Sequence, residues 1–145
     1  MTEWTPIDEA VFVAGQISPD DVARAADRGF ALIINNRPDA EEDDQPDGAL
    51  IAAAAKAAGV AYVSIPVGAE GIGPEQIDAM ACALAEADGD ILAFCRSGNR
   101  SSMLWALSQA KQGRDPDVVA EMVRDAGYNP VLILPVMKQL AAKAA

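Results

Sequence analysis

Ile91-Leu92-Ala93-Phe94-Cys95-Arg96-Ser97-Gly98-Asn99-Arg100-Ser101 carries the chain from an apolar run, through a turn at Gly98, into a helical pattern that reaches Leu107. The run Ile91–Phe94, entered from the turn sequence Asp88-Gly89-Asp90, reads as a buried strand. A strand that turns tightly into a helix gathers several backbone N–H groups and the positive end of the helix dipole at one point. Cys95 stands at that point, flanked by Arg96 and Arg100. Such electropositive surroundings favour the ionised, nucleophilic form of a thiol. The stretch predicts a reactive cysteine on an anion-binding loop, with Arg96, Ser97, Gly98 and Asn99 forming the cradle and Arg100 neutralising bound charge. The competing reading is an inert buried cysteine ahead of an ordinary turn.

Outward from this loop, strands and helices alternate. Val11–Ala14 reads as a strand ended by Gly15-Gln16, and Ser18-Pro19-Asp20-Asp21 supplies an N-cap, a proline at the first helical position and an acid at the third. The helix runs to about Arg28, where Gly29 stops it, and Ala31–Ile34 is a second buried strand. Asn35 to Gly48 is polar and strongly acidic, and reads as a long solvated loop that could also recruit a basic partner. Ala49–Ala58 is helical and stopped by Gly59, Ala61–Ile65 is a third strand, Pro66–Gly73 a glycine-rich loop, and Pro74 starts a helix with Ile77, Met80, Ala81 and Leu84 on one face. After the Cys95 helix, Asp115-Pro116 opens another with Val118, Val119, Met122 and Val123 inward, and Asn129-Pro130 starts a terminal amphipathic segment to about Lys143. Val131, Leu132 and Leu134 are either core or dimer surface.

This alternation predicts an α/β fold of three layers: a mostly parallel sheet of four to five strands with helices on both faces. Loops leaving the carboxyl ends of such strands line the ligand crevice. Here they are Gly15-Gln16, Asn35–Asp47, Pro66–Gly73 and the Cys95 loop.

The 145 residues are 51% apolar, enough for one domain with a real core, and residues 1–145 are expected to form it. A formal charge of −11 argues against nucleic acid and anionic membrane as partners and points to a small anionic or thiol substrate. Met1-Thr2-Glu3-Trp4 has no basic and apolar leader pattern, and the apolar runs are too short to span a membrane, so the expected compartment is the cytoplasm. The chain has no histidine and two cysteines, which leaves no Ser-His-Asp or Cys-His mechanism, makes a zinc site improbable and calls for no cofactor. Cys82, in mid-helix, is expected to be a buried packing residue rather than a resolving thiol, and Met103 and Trp105 to be core or rim residues.

Four residues separate Cys95 from Arg100. Protein tyrosine and dual-specificity phosphatases place five between the corresponding residues, so the cradle here is smaller and suits the terminal sulfur of a persulfide. Cys-Arg-Ser-Gly-Asn-Arg closely resembles rhodanese active-site loops. Phe94 stands where those phosphatases usually have histidine, and Pro66–Gly73 offers no aspartate as general acid, only Glu70. Sulfur exchange with a thiolate leaving group needs no such acid.

More widely, the chain resembles the bacterial beta-lactamase-hydrolase-like, phosphatase-like domain family, also labelled a sulfur transferase family. The resemblance rests on Gly15-Gln16 with Ser18-Pro19, on Ile34-Asn35-Asn36-Arg37-Pro38-Asp39 with Glu41-Glu42 and Gln45-Pro46, on Ile65-Pro66-Val67, and on Cys95–Ser102 leading to Leu104-Trp105-Ala106. It implies a dual-specificity-phosphatase-like fold with a rhodanese-like loop. Some members are fused to a metallo-hydrolase domain acting as a persulfide dioxygenase, which for this chain would be a separate partner. The expected activity is sulfur transfer through a Cys95 persulfide, from thiosulfate or a persulfide to a thiol or cyanide-type acceptor. The alternatives are a phosphatase forming a phosphocysteine on Cys95, with Glu70 as acid, and a weakly catalytic module that binds an anion or a protein. Ser101 either hydrogen-bonds the thiolate, caps the helix, or does both. Arg37 either holds an anionic donor in the crevice or pairs with the neighbouring acidic loop.

Overall fold

A computed structural model describes residues 4–144. It contains strands β1 (Trp4–Pro6), β2 (Val11–Ala14), β3 (Phe30–Asn35), β4 (Ala61–Ser64) and β5 (Asp90–Phe94). The helices are α1 (Pro19–Asp27), α2 (Gly48–Ala58), α3 (Pro74–Glu86), α4 (Asn99–Lys111), α5 (Pro116–Asp125) and α6 (Leu134–Ala144). The sheet order is β1-β2-β5-β3-β4, parallel except for β1, which pairs antiparallel with β2. The expected α/β architecture is therefore present, with one strand, β1, that sequence reading missed.

Strand residues alternate between two cores. Ile91 and Ala93 of β5 join Val11, Val13, Leu32 and Ile34 against α3–α6, whereas Leu92 and Phe94 join Ile33, Ala14 and the apolar faces of α1 and α2 on the other side. Buried on both faces, the central strands read as continuous apolar runs. Helix α4 is buried on nearly every side, from Ser101 to Ser108. Two of its three buried serines return their hydroxyls to the backbone, Ser102 to the Gly98 carbonyl at 2.8 Å and Ser108 to that of Trp105 at 2.6 Å. That removes the cost of burying unpaired polar groups.

The caps form as predicted. Ser18 and Asp21 make a reciprocal capping box at α1, Asp115 accepts from the Asp117 N–H at α5, and Gly59 closes α2 in the left-handed conformation at φ 79°. Two expectations fail. The terminal helix begins at Leu134 rather than Pro130, because Pro130–Ile133 close a turn first, with Ile133 N–H donating to the Pro130 carbonyl at 3.1 Å. Val118 is exposed rather than inward, since Val119 and Val123 set the buried face of α5.

Helices α1 and α2 cover one face and α3–α6 the other, so the loop leaving β3 runs toward one side of the sheet and the loop leaving β5 toward the opposite side. That divergence opens a crevice at the carboxyl ends of the central strands, the place where open α/β sheets bind ligands. Cys95 follows the last residue of β5 at that edge of the sheet. Among the described residues, no helix is long and apolar enough to cross a membrane and no cluster of three or more metal-ligating side chains occurs.

Candidate active site

β5 sits between β2 and β3, and both neighbours hold the end of the strand. The Cys95 N–H donates to the Ala14 carbonyl at 3.3 Å, and the Asn36 N–H donates to the Phe94 carbonyl at 2.8 Å. The loop then curls back so that the Gly98 N–H donates to Cys95 Sγ at 3.1 Å. This bond places backbone donor character on the thiol, as a loop at a helix N-terminus should. The side chain of Cys95 is fully buried and Cys95 is a free cysteine.

Two glycines make the curl sterically feasible. Gly15 approaches the loop so closely that a Cβ there would meet the Arg96 carbonyl oxygen at 2.9 Å. Gly98 has φ 90°, a conformation that L side chains avoid, and a Cβ there would collide with the Tyr128 hydroxyl. Tyr128 is half-buried and donates to the Ser97 carbonyl at 3.0 Å, pinning the outside of the loop. Its phenol is pushed up by burial first and by charge on Cys95 second. Gly98→Ala should therefore destabilise the fold by about 2 kcal/mol or more, from backbone strain together with displacement of Tyr128. Urea denaturation reads this directly, and an unchanged midpoint would refute the left-handed turn.

Arg100 leaves the first turn of α4 and is locked by a carboxylate from the acidic loop. Its Nη1 donates to Glu41 Oε2 at 2.6 Å and to the Val67 carbonyl at 2.7 Å, and its Nη2 donates to Glu41 Oε1 at 2.9 Å. The hydrogen bond to Arg100 holds the Glu41 carboxyl down at about 2, and the same pairing, with help from Cys95, holds Arg100 charged. Three of the five guanidinium N–H groups are used in this way, leaving two for the side of the thiol and an incoming anion.

In the structure Arg37 pairs with the acidic loop and also lines a cavity with Asn35, Pro38 and Asp39. Its side chain is 3% exposed, and it donates from Nε to Glu41 at 2.9 Å, from Nη2 to Glu42 at 2.7 Å and from Nη1 to Gln16 Oε1 at 2.9 Å. Three of its five N–H groups are used in this way, and Arg37 thereby fastens the Asn35–Gly48 loop and positions Glu41 for Arg100. The acidic run is thus partly structural rather than simply solvated. Arg96, expected in the anion cradle, is 67% exposed on the rim and pairs with Glu42 at 3.1 Å.

Ser101 is also corrected. Its buried hydroxyl donates to Asn36 Oδ1 at 2.8 Å, while the Asn36 amide donates to the Ile65 carbonyl at 2.9 Å, so its one proton ties α4 to the β3 and β4 loops rather than meeting Cys95. Ser97 and Asn99 are exposed on the loop, with the Asn99 N–H donating to Ser97 Oγ at 3.4 Å. Glu70 occupies the exposed tip of a turn closed by the Gly71 N–H to the Gly68 carbonyl at 3.0 Å, without a hydrogen bond to the Cys95 loop among the described residues. Cys82, expected to be buried, is exposed on α3 and contacts Glu86 at 3.4 Å. Sequence reading missed Glu41, Tyr128 and Asn36 as site residues.

A cysteine at the carboxyl end of the central strand, a loop amide directed at it and an arginine held by glutamate form the candidate site of a phosphatase-like domain. The chain belongs to the family described as beta-lactamase hydrolase-like protein, phosphatase-like domain, whose model matches residues 4–112. It is 42% identical over 108 residues to a beta-lactamase hydrolase-like protein of Xylella fastidiosa and 40% identical over 108 residues to one of Agrobacterium fabrum. Each match covers 74% of this chain and 25% of the relative, so the chain spans about a quarter of their length. Among solved structures, a candidate phosphatase from Neisseria meningitidis superposes with a TM-score of 0.80 at 31% identity, over 94% of this chain and 96% of that one. A second, from Shewanella putrefaciens, gives 0.74 at 25% identity over 98% and 93%. The more distant Tk-PTP, at 17% identity and a TM-score of 0.75 over 97% of each chain, shares the fold. These likenesses favour the hydrolase alternative over the sulfur-transfer expectation.

Proposed function

We propose that the protein hydrolyses phosphate monoesters through a phosphocysteine on Cys95. The observation that carries this reading is the Gly98 N–H donated to Cys95 Sγ, with the Glu41-held Arg100 beside the same thiol. The thiolate attacks phosphorus, the P–O bond to the leaving group breaks, and the departing oxygen takes a proton from water. A second water then attacks phosphorus, the S–P bond breaks, and inorganic phosphate leaves with the thiolate restored. Loop amides and Arg100 neutralise charge on the phosphoryl oxygens throughout. Because Glu70 stands at an exposed turn tip, weakly basic leaving groups are the favoured substrates. Metal and cofactor have no part in these steps.

The four-residue spacing between Cys95 and Arg100 favours a second reading, sulfur transfer. There the thiolate attacks the outer sulfur of thiosulfate, the S–S bond breaks, sulfite leaves and a Cys95 persulfide remains for a thiol or cyanide acceptor. That reading brings with it a cytoplasmic setting and a separate persulfide dioxygenase as companion enzyme.

One experiment separates the two. Intact-mass spectrometry after incubation with an aryl phosphate or with thiosulfate is run alongside phosphate-release and thiocyanate-release assays. Phosphate release that requires Cys95 supports the hydrolase. A one-sulfur mass gain discharged by cyanide, without phosphate release, replaces it with sulfur transfer, and silence in both assays leaves an anion-binding module.

A further inference from the structure

Arg100 borders two spaces. On one side lies Cys95, and on the other a cavity of about 320 Å³ lined by Val67, Ile72, Met103, Leu107, Ile133 and Val136. The lining is apolar, and Arg100 is the charged group among its lining side chains. The walls come from the β4–α3 loop and the start of α3, from α4, and from the turn leading into α6 together with its first residues. The Val67 carbonyl accepts from Arg100, and Tyr128 ties the connection between α5 and α6 to the Cys95 loop, so both walls are anchored to the catalytic machinery. Apolar residues continue outward along that connection and into α6: Val131 is 58% exposed, Leu132 88% and, in the first turn of α6, Val136 42%.

A protein carrying −11 charge that keeps this space free of acidic side chains is selecting against charged and strongly hydrated groups there. The volume lies at the small end of ligand pockets. We infer that this cavity receives the neutral, apolar body of a substrate whose single anionic head is bound by the Cys95 loop and Arg100. The inference rests on the proposed anion site and names the substrate class it serves: amphipathic monoanion- or dianion-headed molecules with a body the size of a ring or a short alkyl chain. Polyanionic bodies such as nucleotides or polyphosphorylated sugars meet apolar walls inside and acidic residues outside. Binding energy from the apolar body is available to orient the head for attack.

The test is a calorimetric series with methyl-, butyl-, hexyl- and octylphosphonate, non-hydrolysable ligands that report binding without turnover, with inorganic phosphate as competitor. A fully buried methylene contributes about fourfold in affinity, so the five added from methyl to hexyl are expected to lower the dissociation constant on the order of a thousandfold. Ile133→Asn, with Val136→Asn as a second variant should the first unfold, is expected to remove most of that gain and leave methylphosphonate binding unchanged. A series flat in chain length overturns the inference while the anion site stands, as does chain-length dependence that survives both variants. Failure of methylphosphonate and phosphate to bind overturns the inference and the proposed function together.

Discussion

Replacing Cys95 with serine is expected to abolish turnover and leave the fold in place. The substitution is nearly isosteric, and the Gly98 N–H that donates to the thiol at 3.1 Å finds an oxygen acceptor instead. Stability should therefore change by no more than about 1 kcal/mol. Activity should fall by a factor on the order of 10³ or more, because a hydroxyl needs a general base and the chain has no histidine to provide one. The loop acts on an ionisable sulfur through backbone dipoles and arginine, and these groups cannot extract a proton from an alcohol. The measurement is phosphate release by wild type and variant at matched folded fraction, with circular dichroism and urea midpoints as the structural control. Retained activity in a folded Cys95→Ser protein would remove Cys95 from the chemistry altogether. Cys82 is an internal comparison, since it is exposed and paired with Glu86, and its loss should leave turnover unchanged.

The features legible in the sequence are those encoded locally. The strand-turn-helix around Cys95, the Ser18 capping box and the Gly59 stop depend on residues a few positions apart, and each forms as expected. The features missed depend on distant partners. Arg100 and Glu41 are separated by 59 positions and Tyr128 and Ser97 by 31, and no periodicity links them. Strand β1 is three residues including a proline at an edge, too short to carry an alternating pattern. Ser101 adjoins Arg100, so proximity in sequence suggested proximity to the thiol, whereas the helical turn carries its hydroxyl toward Asn36. Cys82 was within reach of helix phase: Ile77 and Met80 fix the buried face of α3, and a residue two positions after Met80 points roughly opposite. Its apolar neighbours in sequence outweighed that phase. The acidic loop illustrates how composition misleads when read alone. Glu41 and Glu42 look like solvated charge, yet they are the counter-ions that hold Arg37, Arg96 and Arg100 in one arrangement.

Arg100→Lys should lower kcat/KM by about 10²- to 10³-fold although the charge is kept. Lysine presents a point charge and cannot reproduce the fork that meets both Glu41 oxygens and the Val67 carbonyl while leaving donors for the anion. Glu41→Gln tests the same clamp from the other side. Glutamine offers one acceptor oxygen, and its amide N–H₂ group opposes the guanidinium, so Arg100 loses its fixed position and kcat/KM should fall about tenfold or more. The pH dependence distinguishes positioning from proton transfer. Glu41 has its carboxyl held at about 2 against an ordinary 4.5, so its ionised pairing is complete above pH 4.5 and is lost only as pH falls through about 2. An acid limb of activity between pH 5 and 7 therefore belongs to another group, and Glu41→Gln should lower the whole kcat/KM profile without moving that limb. A limb that shifts in the variant would make Glu41 a proton carrier instead of the brace for Arg100.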